Sequence, residues 1–185
     1  GFAEAQNNFG SCYENGNGVP KDMVEAAKWY RMAANQGYAE AQNNFGSCCN
    51  LGDGVPKDMV EALKWYRKAA EQGFAEAQYN LGVCYGNGSV GQKDFPEAAK
   101  WYRKAADQGY AAAQYNLGVC YYSGNGVPKD MVEASKWWLL AGAQGLENAK
   151  QNVDLIKKNM TQEQIAEGQK RAREFTPIRA GSTRD

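Results

Sequence analysis

The chain has 185 residues, of which 43% are hydrophobic and 23% charged, with 21 basic and 21 acidic side chains and no histidine. Without an imidazole, Ser-His-Asp and Cys-His nucleophile activation are excluded, as are His-containing zinc sites and a His-held haem. Zero net charge argues against a nucleic-acid binder, which needs an electropositive footprint, and no apolar run approaches the ~20 residues that span a bilayer.

Comparison of the chain with itself sets the fold. Gly1, Gly37, Gly73 and Gly109 recur every 36 residues and open four blocks, 1–36, 37–72, 73–108 and 109–144. Ala5, Ala41, Ala77 and Ala113 match in register, as do Gly10, Gly46, Gly82 and Gly118. Cys12, Cys48, Cys84 and Cys120 form a third series, and Trp29, Trp65, Trp101 and Trp137 a fourth. A period of this length marks a repeat architecture.

Each block reads as two helices. In the first block, Ala5, Phe9, Cys12 and Tyr13 share one face of a helix over roughly 3–13. The opposite face carries Glu4, Asn7, Asn8, Ser11 and Glu14. Gly16-Asn17-Gly18 ends it, and Val19-Pro20 leads to Asp22, an N-cap with Glu25 three residues on in a capping-box pattern. The second helix has Met23, Ala26, Ala27, Tyr30, Ala33 and Ala34 as its apolar stripe, and Gly37 closes it. A lone pair of such helices leaves apolar surface uncovered, so stacking is required. The predicted fold is therefore all-α, a right-handed α/α superhelical solenoid in one domain. In the third block Gly88-Ser89-Val90-Gly91-Gln92 replaces the proline loop, which predicts a different and more mobile turn.

Residues 145–176 read as a C-terminal cap. Leu146, Ala149, Val153 and Ile156 face inward on a fifth first helix. Thr161 and Gln164 then open a last helix, with Ile165, Gly168, Ala172 and Phe175 on its covered side and Lys170, Arg171 and Arg173 mostly outside. Residues 177–185 are expected to be a flexible tail. The chain opens at Gly1 without a methionine, as a processed or truncated chain would.

The motif Ala41-x-x-x-Phe45-Gly46, Gly52-x-Gly54-Val55-x-x-Asp58, Ala62-x-x-Trp65-Tyr66-x-x-Ala69-Ala70-x-x-Gly73 resembles the Sel1-like repeat, a relative of the tetratricopeptide repeat. The resemblance runs through residues 1–144. The segments Leu139–Gly145 and Met160–Ala166 resemble the end of bacterial members. The resemblance implies a concave surface that binds a peptide or protein, in adaptor or scaffold roles. Cysteine-rich members carry two bridged cysteines per repeat, whereas this chain has one, plus Cys49. Equivalent positions in stacked repeats would lie ~10 Å apart, beyond the ~7 Å a disulfide spans. The cysteines therefore read as buried free thiols. Bacterial relatives point to a periplasmic or secreted location, and unpaired thiols to a reducing one.

The candidate site is the polar stripe of the first helices. One position reads Asn7, Asn43, Tyr79, Tyr115 across the blocks, and another Ser11, Ser47, Val83, Val119. A third reads Glu14, Asn50, Gly86, Tyr122. The stripe is thus polar in the first half and aromatic or apolar in the second, either to anchor a peptide or through drift at exposed positions. Asn8, Asn44, Asn80 and Asn116 do not vary. An amide can pair with both polar groups of an extended backbone, or can satisfy a neighbouring repeat. Gln6, Gln42, Gln78 and Gln114 are expected to bond between repeats. The Asp22/Glu25 pairs are explained by capping, and the glycine loops lack the Lys-Ser/Thr of a phosphate-binding loop. No catalytic residue, metal or cofactor is expected, and a monomer is favoured. The competing reading is a small-molecule or glycan binder of β-lactam type, with at most weak hydrolysis. Against hydrolysis, no serine is followed by lysine three residues on.

Overall fold

The computed structural model describes residues 1–89 and 91–178. The expectations for Val90 and for residues 179–185 lie outside them. Among the described residues there are ten α-helices and no strand. They are α1 (Phe2–Asn15), α2 (Met23–Asn35), α3 (Ala39–Leu51), α4 (Met59–Glu71) and α5 (Ala75–Asn87), then α6 (Phe95–Asp107), α7 (Ala111–Ser123), α8 (Met131–Ala143), α9 (Glu147–Lys157) and α10 (Gln162–Arg173). None is long and apolar enough to cross a membrane. The chain divides into two compact units, Gly1–Leu81 and Gly82–Asp185, with the division inside α5.

In the first unit α1 pairs with α2 and α3 with α4, and α2 packs on α3. The helices approach closely because the contact residues are small. Ala26, Ala27, Ala33, Ala34 and Ala41 are buried, as are Ala62, Ala69 and Ala70. The recurring glycine is dictated by an aromatic ring. A methyl at Gly46 would sit 2.9 Å from the Tyr66 ring, and one at Gly10 2.8 Å from Tyr30. The loop glycines have a second task. Gly54, at φ 73°, lies so close to α2 that a side chain would overlap the Met23 carbonyl. The loop of one repeat thus rests on the second helix of the repeat before it.

Asp22, Asp58 and Asp130 cap their helices by accepting from the second and third amides. Asp94 accepts from Glu97 alone, because Pro96 has no N–H to offer. The reciprocal half of the expected capping box does not form in these helices. The glutamate turns along the helix instead. Glu61 accepts the Trp65 indole N–H at 2.7 Å and pairs with Lys64, and Glu97 does the same for Trp101 and Lys100. The Lys68 ammonium lies 4.0 Å from the Trp65 ring centroid and Lys104 4.1 Å from Trp101. Trp65, Trp101 and Trp137 are buried packing residues.

The second unit repeats these features. A methyl at Gly82 would sit 2.7 Å from the Tyr102 ring, and a side chain at Gly126 would overlap the Phe95 carbonyl. The third loop keeps the shared anchors despite losing its proline. Ser89 N–H donates to Cys84 and Asp94 N–H to Tyr85, as Asn125 and Asp130 do to Cys120 and Tyr121. At the C-terminal end α9 packs on α8 through Ala149, Val153 and Ile156, all buried. The Thr161 capping box is complete and opens α10, which packs on α8. Gly168 meets Ser135, and the Phe175 ring is 5.5 Å from Trp137. Arg171 is partly exposed, in line with its sequence position, and also makes two ion pairs. It reaches across to Glu133 at 2.8 Å and back to Glu167 at 2.7 Å. The chain is held as far as Ile178, whose N–H donates to the Asp107 carbonyl at 2.8 Å.

Candidate partner-binding site

The first-helix stripe divides by residue into linked and open positions. Asn7 and Asn43, expected at the surface, are each only 1% exposed. Asn44 donates to the Asn7 side-chain carbonyl at 3.0 Å, and Asn80 donates to that of Asn43 at 2.9 Å. Asn7 in turn donates to Glu40 at 3.1 Å. The burial follows from helix geometry: position 7 faces the first helix of the next repeat, about 100° around the helix from exposed Asn8. In the first unit the invariant asparagine therefore joins repeat to repeat. The glutamines do so as well. Gln42 donates to the Ala34 carbonyl at 3.2 Å and accepts from Gln72 at 2.7 Å, and Gln78 donates to Ala70. In the second unit Gln114 donates to Ala106 and accepts from Gln144.

Asn8 is exposed and Ser11 half-buried, where Ser11 accepts from Asn15 at 3.2 Å. Ser47 is half-buried, 3.1 Å from the Tyr66 hydroxyl. Tyr30 binds Glu14, and burial together with that carboxylate raises its phenol far above its ordinary pKa. Tyr79, in the first unit, is half-buried. Val83, Tyr115 and Asn116, in the second, are half-buried too.

The second unit replaces these polar contacts with an apolar cluster. Val119 stands where Ser47 stands, Tyr122 where Asn50 stands, and Trp138 where Tyr66 stands. The Trp138 indole N–H donates to the Tyr115 carbonyl at 3.1 Å, and its ring lies 5.6 Å from that of Tyr122. A methyl at Gly118 would come within 2.5 Å of Trp138 Nε1, so glycine is again what seats the ring. Around this ring opens a cavity of about 240 Å³ lined by Val119, Tyr122, Trp138, Asn152, Leu155 and Ile156. Among the described residues no charged side chain lines it; the Lys129 ammonium lies 5.5 Å from the Tyr122 ring centroid and is not part of the lining. Leu155 is 57% exposed and Tyr122 41%. A second cavity of about 380 Å³ shares Trp138 but includes Lys150 and Asp154.

Val119 and Tyr122 were anticipated from the sequence, whereas Trp138, Asn152, Leu155 and Ile156 were not. The signal was available. Continuing the 36-residue register into α9 makes Asn152 the fifth member of the Asn8 series and Leu155 the fifth of the Ser11 series.

The five cysteines are unbridged. Burial pushes Cys48 up to about 12, helped by the Glu14 carboxylate, and Cys49 and Cys120 up to about 11. These are packing thiols held in the protonated form, and a thiol is a poor nucleophile. Among the described residues no group of three or more His, Cys, Asp or Glu side chains is placed to hold a metal.

The Sel1 repeat family model matches residues 3–38, 39–74, 75–110 and 111–146, the same period set two residues later. Among solved structures the chain is similar to a Sel1 repeat protein from Oxalobacter formigenes, with a TM-score of 0.78 and 36% identity over 95% of this chain and 74% of that one. It is also similar to a protective antigen present in uropathogenic Escherichia coli strains that displays an SLR fold. There the TM-score is 0.56 and identity 30%, over 94% of this chain and 45% of that one, so the chain spans less than half of that relative. No curated protein matches.

Proposed function

The chain belongs to the Sel1 repeat family, and on that premise we propose that it is a non-catalytic scaffold that binds a peptide or protein through its first helices. The observation that carries this reading is the apolar cavity at Val119, Tyr122, Trp138, Leu155 and Ile156. It opens where the equivalent residues of the second repeat, Ser47 and Tyr66, contact each other. Tyrosine and tryptophan at such a place supply rigid contact area, as binding hot spots do. The buried, protonated cysteines and the capping role of the aspartates leave these groups as packing and helix-end residues. Family character supports the same conclusion, since Sel1 repeats typically mediate protein binding.

The reading is tested with a photo-crosslinking side chain at position 122 and a displayed peptide library. Crosslinks that recur on related peptides support it. Crosslinks no more frequent than at an exposed control position such as Lys21 would contradict it.

A further inference from the structure

Asn152 breaks the pattern that Asn44 and Asn80 set. Those two amides each donate to an asparagine of the preceding repeat, at 3.0 and 2.9 Å. The position that would serve Asn152 is occupied by Tyr115, 37 residues back. The Asn152 side chain has no hydrogen-bond partner among the described residues, and no buried polar side-chain atom is left unsatisfied, so its amide faces open space. Asn152 is also one of the six residues that line the cavity.

Three substitutions in register thus act together. Asparagine becomes Tyr115, which releases the next amide. Serine becomes Val119, and the facing tyrosine becomes Trp138, which together remove the hydroxyl pair. The outcome is an uncharged apolar cavity with one free amide at its edge. An amide offers a donor and an acceptor side by side, the complement of a peptide group. A cavity of about 240 Å³ takes one large side chain.

We propose that this cavity receives a single large aliphatic or aromatic side chain of an extended partner segment, while Asn152 pairs with the adjoining main-chain amide. The proposal rests on the scaffold reading and specifies its ligand: uncharged at the anchor residue, and a polypeptide rather than a free apolar molecule.

The test follows the amide spectrum of the full ¹⁵N-labelled chain during addition of acetyl-Gly-Gly-Leu-Gly-Gly-amide, then of the same peptide with Met, Phe, Asp or Lys at the centre. The Leu, Met and Phe peptides should shift the Asn152 side-chain and Trp138 indole signals and bind about tenfold more tightly than the Asp and Lys peptides. Asn152→Leu should weaken binding by roughly threefold to tenfold and keep the apolar preference. Leu155→Ser should flatten that preference. Equal affinity for the Asp and Leu peptides would overturn the proposal. So would cyclohexanol binding as tightly as the Leu peptide, which would assign the cavity to small apolar molecules. Shifts confined to residues away from the cavity would overturn the proposal and leave the scaffold reading standing. No shift with any peptide would count against both.

Discussion

The side-chain amide of Asn44 donates to the Oδ1 of Asn7 at 3.0 Å, across a repeat boundary and 37 residues back along the chain. Asn7 is buried, so removing its partner leaves an acceptor that water reaches poorly. Asn44→Ala should therefore cost about 1–3 kcal/mol. Asn152→Ala removes no bond and should stay within about 0.5 kcal/mol of wild type. Urea unfolding of the two variants checks the contrast. Equal losses would mean that the asparagine series has one role throughout.

The glycine series is tested by adding one methyl group. In an open helix, glycine to alanine stabilises by about 1 kcal/mol. At Gly46 and Gly118 the new methyl meets the Tyr66 ring at 2.9 Å and the Trp138 indole at 2.5 Å. Overpacking of this kind costs about 1–3 kcal/mol. Gly118→Ala should be the worse of the two, because Trp138 is tied to the Tyr115 carbonyl. Gly86 is the control: its added methyl finds its nearest neighbour at 3.5 Å, so Gly86→Ala should raise the melting temperature. Thermal unfolding followed by circular dichroism reads all three.

Much of the fold was legible because period and residue type agreed. The glycine, alanine, aspartate and tryptophan series placed helices, caps and core in register. The site was less legible for a geometric reason. Asn7 and Asn8 are neighbours in sequence, and helical periodicity alone assigned both to the outer stripe. In the structure one is buried against the next repeat and the other is exposed. The capping boxes were half right, since a glutamate at the third position can face the cap or the Trp four residues on. Trp138 was hidden by reading the tryptophans only at position 137 and its equivalents. Leu155 and Asn152 were hidden because only the inward face of the fifth first helix was read, and the polar stripe was not continued into it.

The C-terminal helix is held through Arg171. Its pairs with Glu133 and Glu167 are partly exposed, so Arg171→Ala should cost no more than about 1 kcal/mol. Phe175→Ala, which removes the ring packed on buried Trp137, should cost more. Both should raise hydrogen exchange in α10 more than in α7. Uniform loss of protection in the two helices would contradict this.

The thiols give a pH dependence with a definite sign. Burial raises Cys48 to about 12 and Cys49 and Cys120 to about 11, from an ordinary value of 9.0. Above pH 9 the unfolded chain loses these protons while the folded chain keeps them. The folded state then binds more protons, so stability falls as pH rises. Melting temperature should hold up to pH 9 and decline between pH 9 and 11. Replacing Cys48 and Cys120 by alanine should flatten that decline. In the native protein a thiol reagent should reach half-buried Cys12 first and the other four only on unfolding.

The central claim is that the fourth repeat and α9 turn a polar packing site into a partner anchor. The direct measurement restores the second repeat's residues there, as Val119→Ser, Trp138→Tyr and Leu155→Ser in one chain, and measures the affinity for peptides selected on wild type. The account predicts a loss of about tenfold or more, with the helical spectrum unchanged. Unchanged affinity in a folded triple variant would contradict it.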